Sequence, residues 1–311
     1  MDFGYAATQI IIVSLPILLG WGAHKLGMMD NAFDTKLSHI VLNICLPCSI
    51  LSSLGSSGGL PSRSEALSII GGELVVLICA IVLAYGLTAI MRPKHGTEGA
   101  YQFTVTFSNC SLIGFPVISA MLGEGAILVA AIALIPVNLA VFTLGIMMFA
   151  KSEGGLKRRL RDLAACCTSP TLIASVIVFI CTIAGISGFG ILDGSLSIAG
   201  ALTTPAALLI TGSSLANYKV RDMLSNWRAY VAAAGRLVFA PLLGLFALRA
   251  LSVDPTITAI LVLEGAMPVG TNGILYSLQY GADVKPMAQA TFLSVAGAVV
   301  TIPLVTLLAV G

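Results

Sequence analysis

Apolar runs alternate with short polar or charged punctuation along the whole chain. The pattern predicts ten membrane-length helices, at approximately 7–27, 31–54, 65–90, 100–122, 125–149, 167–187, 191–217, 228–251, 256–281 and 286–309. Each run approaches or exceeds the roughly 20 residues that cross a hydrocarbon core. The first follows only Met1 and Asp2, has no basic leader and is long, so it is expected to remain in the mature protein. Two runs depart from plain apolar helix. The fourth carries Ser108-Asn109-Cys110-Ser111-Leu112-Ile113-Gly114-Phe115-Pro116, and the ninth carries Glu264-Gly265-Ala266-Met267-Pro268-Val269-Gly270-Thr271-Asn272-Gly273.

Composition narrows the class. Of 311 residues, 57% are hydrophobic and only 10% charged, and the mean hydropathy is +1.00, whereas a soluble domain carries about 25% charged residues. The expected fold is therefore all-α and integral to a membrane, with lipid as its surroundings. Ten spans fill the chain and leave no room for a soluble nucleotide-driven engine. The net charge of +2 includes no basic block of the kind that binds nucleic acid. No phosphate-binding loop, H-E-x-x-H helix or G-x-S-x-G elbow occurs, so no enzyme, catalytic residue or organic cofactor is expected. Cys45 and Cys48 form a C-x-x-C inside apolar helix and read as packing residues. His24, His39 and His95 lie near loop or helix ends, lack metal spacing and are read as interfacial.

The placement of charge sets the orientation. With the termini outside, Lys25, Lys36, Arg92, Lys94, Lys151, Lys157, Arg158, Arg159, Arg161, Lys219, Arg221, Arg228 and Lys285 all fall on the cytoplasmic side, and only Arg63 and Arg249 fall outside. The most charged connection, Lys151 to Asp162, is then a cytoplasmic linker at 151–165. It separates a first half, 1–150 with spans one to five, from a second half, 166–311 with spans six to ten.

Five spans per half make the second half enter from the opposite side, as an inverted 5+5 repeat requires. Prolines pair across the halves at a nearly constant offset: Pro47 with Pro205, Pro116 with Pro268, and Pro136 with Pro303. Runs four and nine are too rich in polar residues, Gly and Pro to face lipid, where an unsatisfied backbone group costs several kcal/mol. Proline removes an amide donor and obstructs the carbonyl four residues earlier, so both helices are expected to break and cross at mid-membrane. Freed amides suit a substrate carboxylate, and freed carbonyls with Asn, Ser and Glu oxygens suit a small cation. The substrate-binding candidates are Asn109, Cys110, Ser111, Gly114, Pro116, Pro268, Gly270, Thr271 and Asn272.

Ionisable groups within the spans are costly and therefore informative. No Lys or Arg lies in the cores of spans four, nine or ten, so Glu264 needs a cation or a proton; Ser108, Asn109 and Glu264 are the candidate ligands of Na+. Glu73 reads either as a proton-sensitive group in a vestibule or as a side chain snorkelling outward. Arg236 reads as an attractor of anions or, preferentially, as a stabilising contact to carbonyls or headgroups.

Ser108 to Gly123, Leu208 to Ala216, Glu264 to Gly281, and Thr291-Phe292-Leu293-Ser294 with Pro303 resemble the auxin efflux carrier family, above all its short bacterial members. The resemblance implies a scaffold domain from spans one, two, six and seven. It implies a transport domain from spans three to five and eight to ten, which moves as an elevator. It further implies a multi-pass protein of the plasma (bacterial inner) membrane and a homodimer through the scaffold. Plant members carry a long cytosolic loop where this chain has only its short linker. Bacterial members are linked to malonate, malate and other small organic anions. A more distant similarity to sodium-coupled bile acid transporters implies Na+ symport, because their cation sites use a Ser-Asn pair and a Glu at places comparable to Ser108-Asn109 and Glu264. Their following Gln-Asn is replaced here by Pro268 and Val269, so part of one cation site has no counterpart.

Overall fold

The computed structural model describes residues 15–56, 60–149, 168, 170–216, 220–270 and 272–310. Among these residues there are helices and no strands. A helical stretch at 15–25 is followed by α1 (Asn31–Ile40), α2 (Leu46–Ser56), α3 (Arg63–Met91), α4 (Glu98–Thr106), α5 (Phe115–Leu122), α6 (Ala126–Ala140) and α7 (Ile146–Phe149). The chain continues through α8 (Pro170–Ala184), α9 (Ile191–Gly200), α10 (Thr203–Ala216), α11 (Val220–Met223), α12 (Trp227–Ala234), α13 (Ala240–Ala250), α14 (Pro255–Gly265), α15 (Asn272–Gln279) and α16 (Val284–Val310).

Six helical runs among the described residues are long and apolar enough to cross a membrane: Asn31–Gly55, Arg63–Met91, Ala126–Phe149, Ile191–Ser213, Trp227–Ala250 and Val284–Ala309. The segments read as spans four and nine are each divided in two; the segment read as span one lies partly, and the linker 151–165 wholly, outside the described residues. On α3 the exposed large apolar residues are Leu67, Leu74, Ile78, Val82, Tyr85 and Ile90, whereas Glu73 is buried. Apolar outside and charge inside is the arrangement that lipid selects.

Proline shapes these helices in a regular way. A single π-helical turn precedes each of three prolines: Val41–Cys45 before Pro47, Cys110–Gly114 before Pro116, and Gly235–Phe239 before Pro241. Proline cannot donate to the preceding turn, and its ring crowds the carbonyl there. Widening that turn by one residue relieves both faults without ending the helix. Pro136 and Pro303 lie inside α6 and α16, and Pro205 falls in the first turn of α10, where no intrahelical donor is lost.

The sequence expectation for span four needs correction. The break does not fall at Pro116, where the π turn absorbs the missing donor. It falls earlier, because α4 ends at Thr106 and Phe107 is already extended (φ −111, ψ 120).

Contacts divide the chain into two compact units, the first Met1–Gly71, Cys110–Ile135 and Thr168–Tyr218, the second Gly72–Asn109, Pro136–Cys167 and Lys219–Gly311. In the first, α2 packs against α8 and α9, and α1 against α10. Val41 packs with Ala206, Ala207 and Ile210. The stretch 15–25 meets α10 at backbone distance: a Cβ on Gly20 would strike the Leu209 carbonyl, and one on Gly212 the Ile17 carbonyl. Small residues allow such approach where the driving force is packing rather than water release.

A polar chain crosses the same contact. Ser213 Oγ donates to Asp34 Oδ2 at 2.6 Å, which uses its one proton, so at 3.0 Å the His24 Nδ1–H donates to Ser213 Oγ. His24 is thus half-buried and tied to α10. Ser213 is fully buried, and a hydrogen bond to a charged group contributes about 1.5–3 kcal/mol. Ser213→Ala is expected to lower unfolding stability in detergent by about that amount; an unchanged unfolding midpoint would show that the chain contributes nothing.

In the second unit α16 is the central element, packed by α4, α12 and α14, with α13 against α14. Phe103, Phe107, Phe149 and Tyr276 form a ring cluster with centroid separations of 4.9–6.3 Å. Asn226 Nδ2 donates to Tyr101 Oη at 2.9 Å and to Gln289 Oε1 at 2.8 Å, tying α4, α12 and α16 together at one end.

Candidate substrate and coupling site

The two interruptions in the second unit meet. Where α4 stops, Phe107, Ser108 and Asn109 run extended; where α14 stops, Pro268, Val269 and Gly270 do the same, and Ser108 and Val269 pair antiparallel. The Asn109 N–H donates to the Pro268 carbonyl at 2.7 Å, and the Gly270 N–H donates to the Phe107 carbonyl at 3.1 Å. Each interrupted segment thereby satisfies backbone groups that the other leaves over, as buried backbone requires. Pro268 suits this position because it has no N–H to satisfy and a fixed, extended-compatible φ. Gly270 suits it because a Cβ there would lie 3.3 Å from the Ser108 carbonyl oxygen.

Two further side chains complete the backbone account. Ser294 Oγ of α16 accepts from the Val269 N–H at 3.2 Å and donates to the Thr291 carbonyl at 3.0 Å. Arg236 Nη1 donates to the carbonyls of Val105 at 3.0 Å and Thr106 at 2.8 Å. A guanidinium therefore sits at the carbonyl end of α4, where the helix dipole favours positive charge. Arg236 reaches it from the π turn that precedes Pro241, and it is 2% exposed. Of the two sequence readings of Arg236, the contact to carbonyls is the one observed.

Glu264 closes α14 at 1% exposure, and Glu73 of α3 is 4% exposed. Glu73 lies within Coulombic reach of both Glu264 and Arg236, and it is buried rather than snorkelling. Spans four, nine and ten supply no cation near Glu264, but α12–α13 does, through Arg236. The sequence contained the signal, a lone Arg inside an apolar run with a proline five residues on, but not its direction.

The other candidates are placed as follows. Ser108, Asn109, Pro268, Gly270 and Asn272 belong to the second unit with Glu73 and Glu264, and Asn272 opens α15. Cys110, Ser111 and Gly114 lie in the π turn of the first unit, and Pro116 in the first turn of α5. Thr271 lies outside the described residues. Ser294, quoted above only as part of a resemblance, is a site-building residue that sequence reasoning did not single out. A cavity of about 190 Å³ lies elsewhere, at the opposite end of α4, between His95, Glu98, Gln102 and Met148.

Residues 5–306 match the family model described as membrane transport protein. An uncharacterized transporter of Methanocaldococcus jannaschii is 23% identical over 295 residues, 92% of each chain. The uncharacterized transporter YfdV of Escherichia coli is 22% identical over 301 residues, 95% of each chain. An uncharacterized transporter of Methanothermobacter thermautotrophicus is 22% identical over 315 residues, 98% of each chain. The chain belongs to the membrane transport protein family, that of the auxin efflux carriers.

Proposed function

We propose that the chain is a secondary active carrier of small organic anions, mono- or dicarboxylates of the size of malonate or malate. It works by elevator-type alternating access and is driven by a monovalent cation gradient. The observation that carries this reading is the antiparallel pairing of Phe107–Asn109 with Pro268–Gly270. Interrupted helices present amide and carbonyl ends within the membrane, and an anion with its companion cation is the cargo that such ends neutralise. Ten spans in a 5+5 inverted repeat, with spans one, two, six and seven as a dimeric scaffold, complete the proposal.

In this reading Asn109, Asn272 and the amides that open α15 hold the carboxylate. The coupling cation is Na+ at Ser108, Asn109 and Glu264, or a proton. A specific observation favours the second: Arg236 Nη2 lies 3.7 Å from the place of a Cβ on Gly265, next to Glu264, where its permanent positive charge opposes a metal ion.

The test is uptake of malonate, malate, succinate and indole acetate into proteoliposomes under separately imposed Na+ and H+ gradients. Saturable accumulation of at least one of them under one gradient is expected. Failure of all four to accumulate under either gradient would refute the reading.

A further inference from the structure

The first unit holds a buried polar chain that the proposed anion site does not use. Gly20 and Gly212 let the stretch 15–25 and α10 touch backbone to backbone, since a Cβ on either would strike a carbonyl of the other segment. His24 lies four residues beyond Gly20 and Ser213 directly follows Gly212, so one helical turn carries His24 from that contact to the next position on the same face. There the side chains meet. The His24 Nδ1–H donates to Ser213 Oγ at 3.0 Å, and Ser213 Oγ donates to Asp34 Oδ2 at 2.6 Å. Ser213 is fully buried and Asp34 is 8% exposed. The second carboxylate oxygen, Asp34 Oδ1, is buried with no hydrogen-bond partner among the described residues.

Geometry and burial together set the charges. An O–H···O contact of 2.6 Å is as short as bonds to an ionised acceptor, roughly 2.5–2.7 Å, so Asp34 is a carboxylate. Buried with one oxygen unpartnered, it needs a positive charge beside it. Lys25 does not supply it, because its Nζ donates to the Ala216 carbonyl at the end of α10 and lies over the Trp21 ring. On α1, Asp30 accepts the Phe33 N–H as the N-cap, and Lys36 and His39 are exposed. The π turns packed against α10 contribute the thiols of Cys45 and Cys110, and α10 itself and α5 carry no titratable side chain. Among the described residues that leaves His24 to balance Asp34, which requires protons on both ring nitrogens.

We propose that His24, Ser213 and Asp34 form a proton-binding clamp of the first unit: the charged imidazole, bridged by the hydroxyl to the carboxylate, holds the stretch 15–25 and α1 against α10. Loss of the second ring proton leaves Asp34 buried without its counter-charge and opens the clamp. The sign follows directly. The clamp is closed while His24 is charged and opens as pH rises through the range, about 5 to 8, in which imidazoles give up that proton. Because α10 also packs against the π turn Cys110–Gly114, the state of the clamp bears on the turn that carries Cys110, Ser111 and Gly114. The clamp does not depend on the carrier reading, since each of its parts is a contact within one unit.

Two measurements on the full-length protein in detergent test the clamp. Amide hydrogen exchange over residues 15–25, corrected for its intrinsic pH dependence, is expected to rise about tenfold in the wild type across that range, the effect of losing one hydrogen bond to a charged group. His24→Gln keeps a donor to Ser213 without a titrating ring, and Asp34→Asn keeps the acceptor without its charge. Both variants are expected to lose the rise. The chain has three histidines, so in nitrogen NMR of the histidine-labelled protein the ring signal missing from His24→Gln identifies His24. That ring is expected to be doubly protonated at the acid end of the range and to become neutral over the same interval in which exchange rises. A wild type whose exchange does not rise, a rise that persists in either folded variant, or a His24 ring neutral throughout would each overturn the proposal.

Discussion

Arg236→Met is expected to destabilise the protein by about 3–5 kcal/mol, the usual cost of removing one partner from a buried charge group. Methionine keeps most of the volume and removes the charge, so loss of packing contributes little. What is lost is specific: the donor to the Val105 and Thr106 carbonyls at the interrupted end of α4, and the positive charge near Glu73 and Glu264. The second loss can be isolated. Arg236→Met combined with Glu264→Gln is expected to recover about 1–3 kcal/mol relative to additivity, as coupled neighbours do. Thermal unfolding in detergent, followed through Trp21 and Trp227, measures both variants. A change below about 1 kcal/mol for Arg236→Met, within the range of an exposed ion pair, would show that the guanidinium is not part of a buried charge group.

Asn109→Ala and Asn272→Ala are each expected to weaken anion binding by roughly tenfold to a hundredfold. One hydrogen bond to a charged ligand contributes about 1.5–3 kcal/mol, and every 1.4 kcal/mol is about tenfold in affinity. Asn109 is buried at the crossing, with its backbone bonded to Pro268; Asn272 begins the helix beyond it and is half-buried. Truncation leaves both backbones as they are, so the unfolding midpoint should move far less than the affinity. Titration calorimetry with malonate reads the effect, and wild-type affinity in both folded variants would remove these side chains from the site.

Much of this was legible in the sequence, because lipid writes its demands plainly. Glu264 and Glu73 stand out as charges in apolar runs, and Pro268 with two glycines near it marks an interruption where one is found. The position of the other interruption was not legible. Pro116 is the conspicuous residue of span four, yet proline needs only one widened turn, as Pro47 and Pro241 also show. The helix stops at Thr106 because Phe107 and Asn109 exchange backbone hydrogen bonds with a segment more than one hundred and fifty residues away, and no local pattern encodes that partner. The same limit hid Arg236. Its depth could be read from the run around it, whereas the carbonyls it reaches exist as acceptors only once α4 has ended. The hydrogen-bond partner of His24 was hidden for a similar reason, since Ser213, itself bonded to Asp34, approaches from another helix.

Counterflow exchange tests the central claim most directly. Proteoliposomes holding the wild-type protein and loaded with an excess of unlabelled malonate are diluted into a trace of labelled malonate, with no ion gradient imposed. A carrier with one anion site that alternates between the two sides is predicted to draw label inward above its external concentration and then release it, with saturable initial rates. Asn109→Ala and Asn272→Ala should show the same transient only at higher malonate. Label that merely equilibrates, at rates linear in concentration and unaffected by either variant, would contradict the account and indicate a pore.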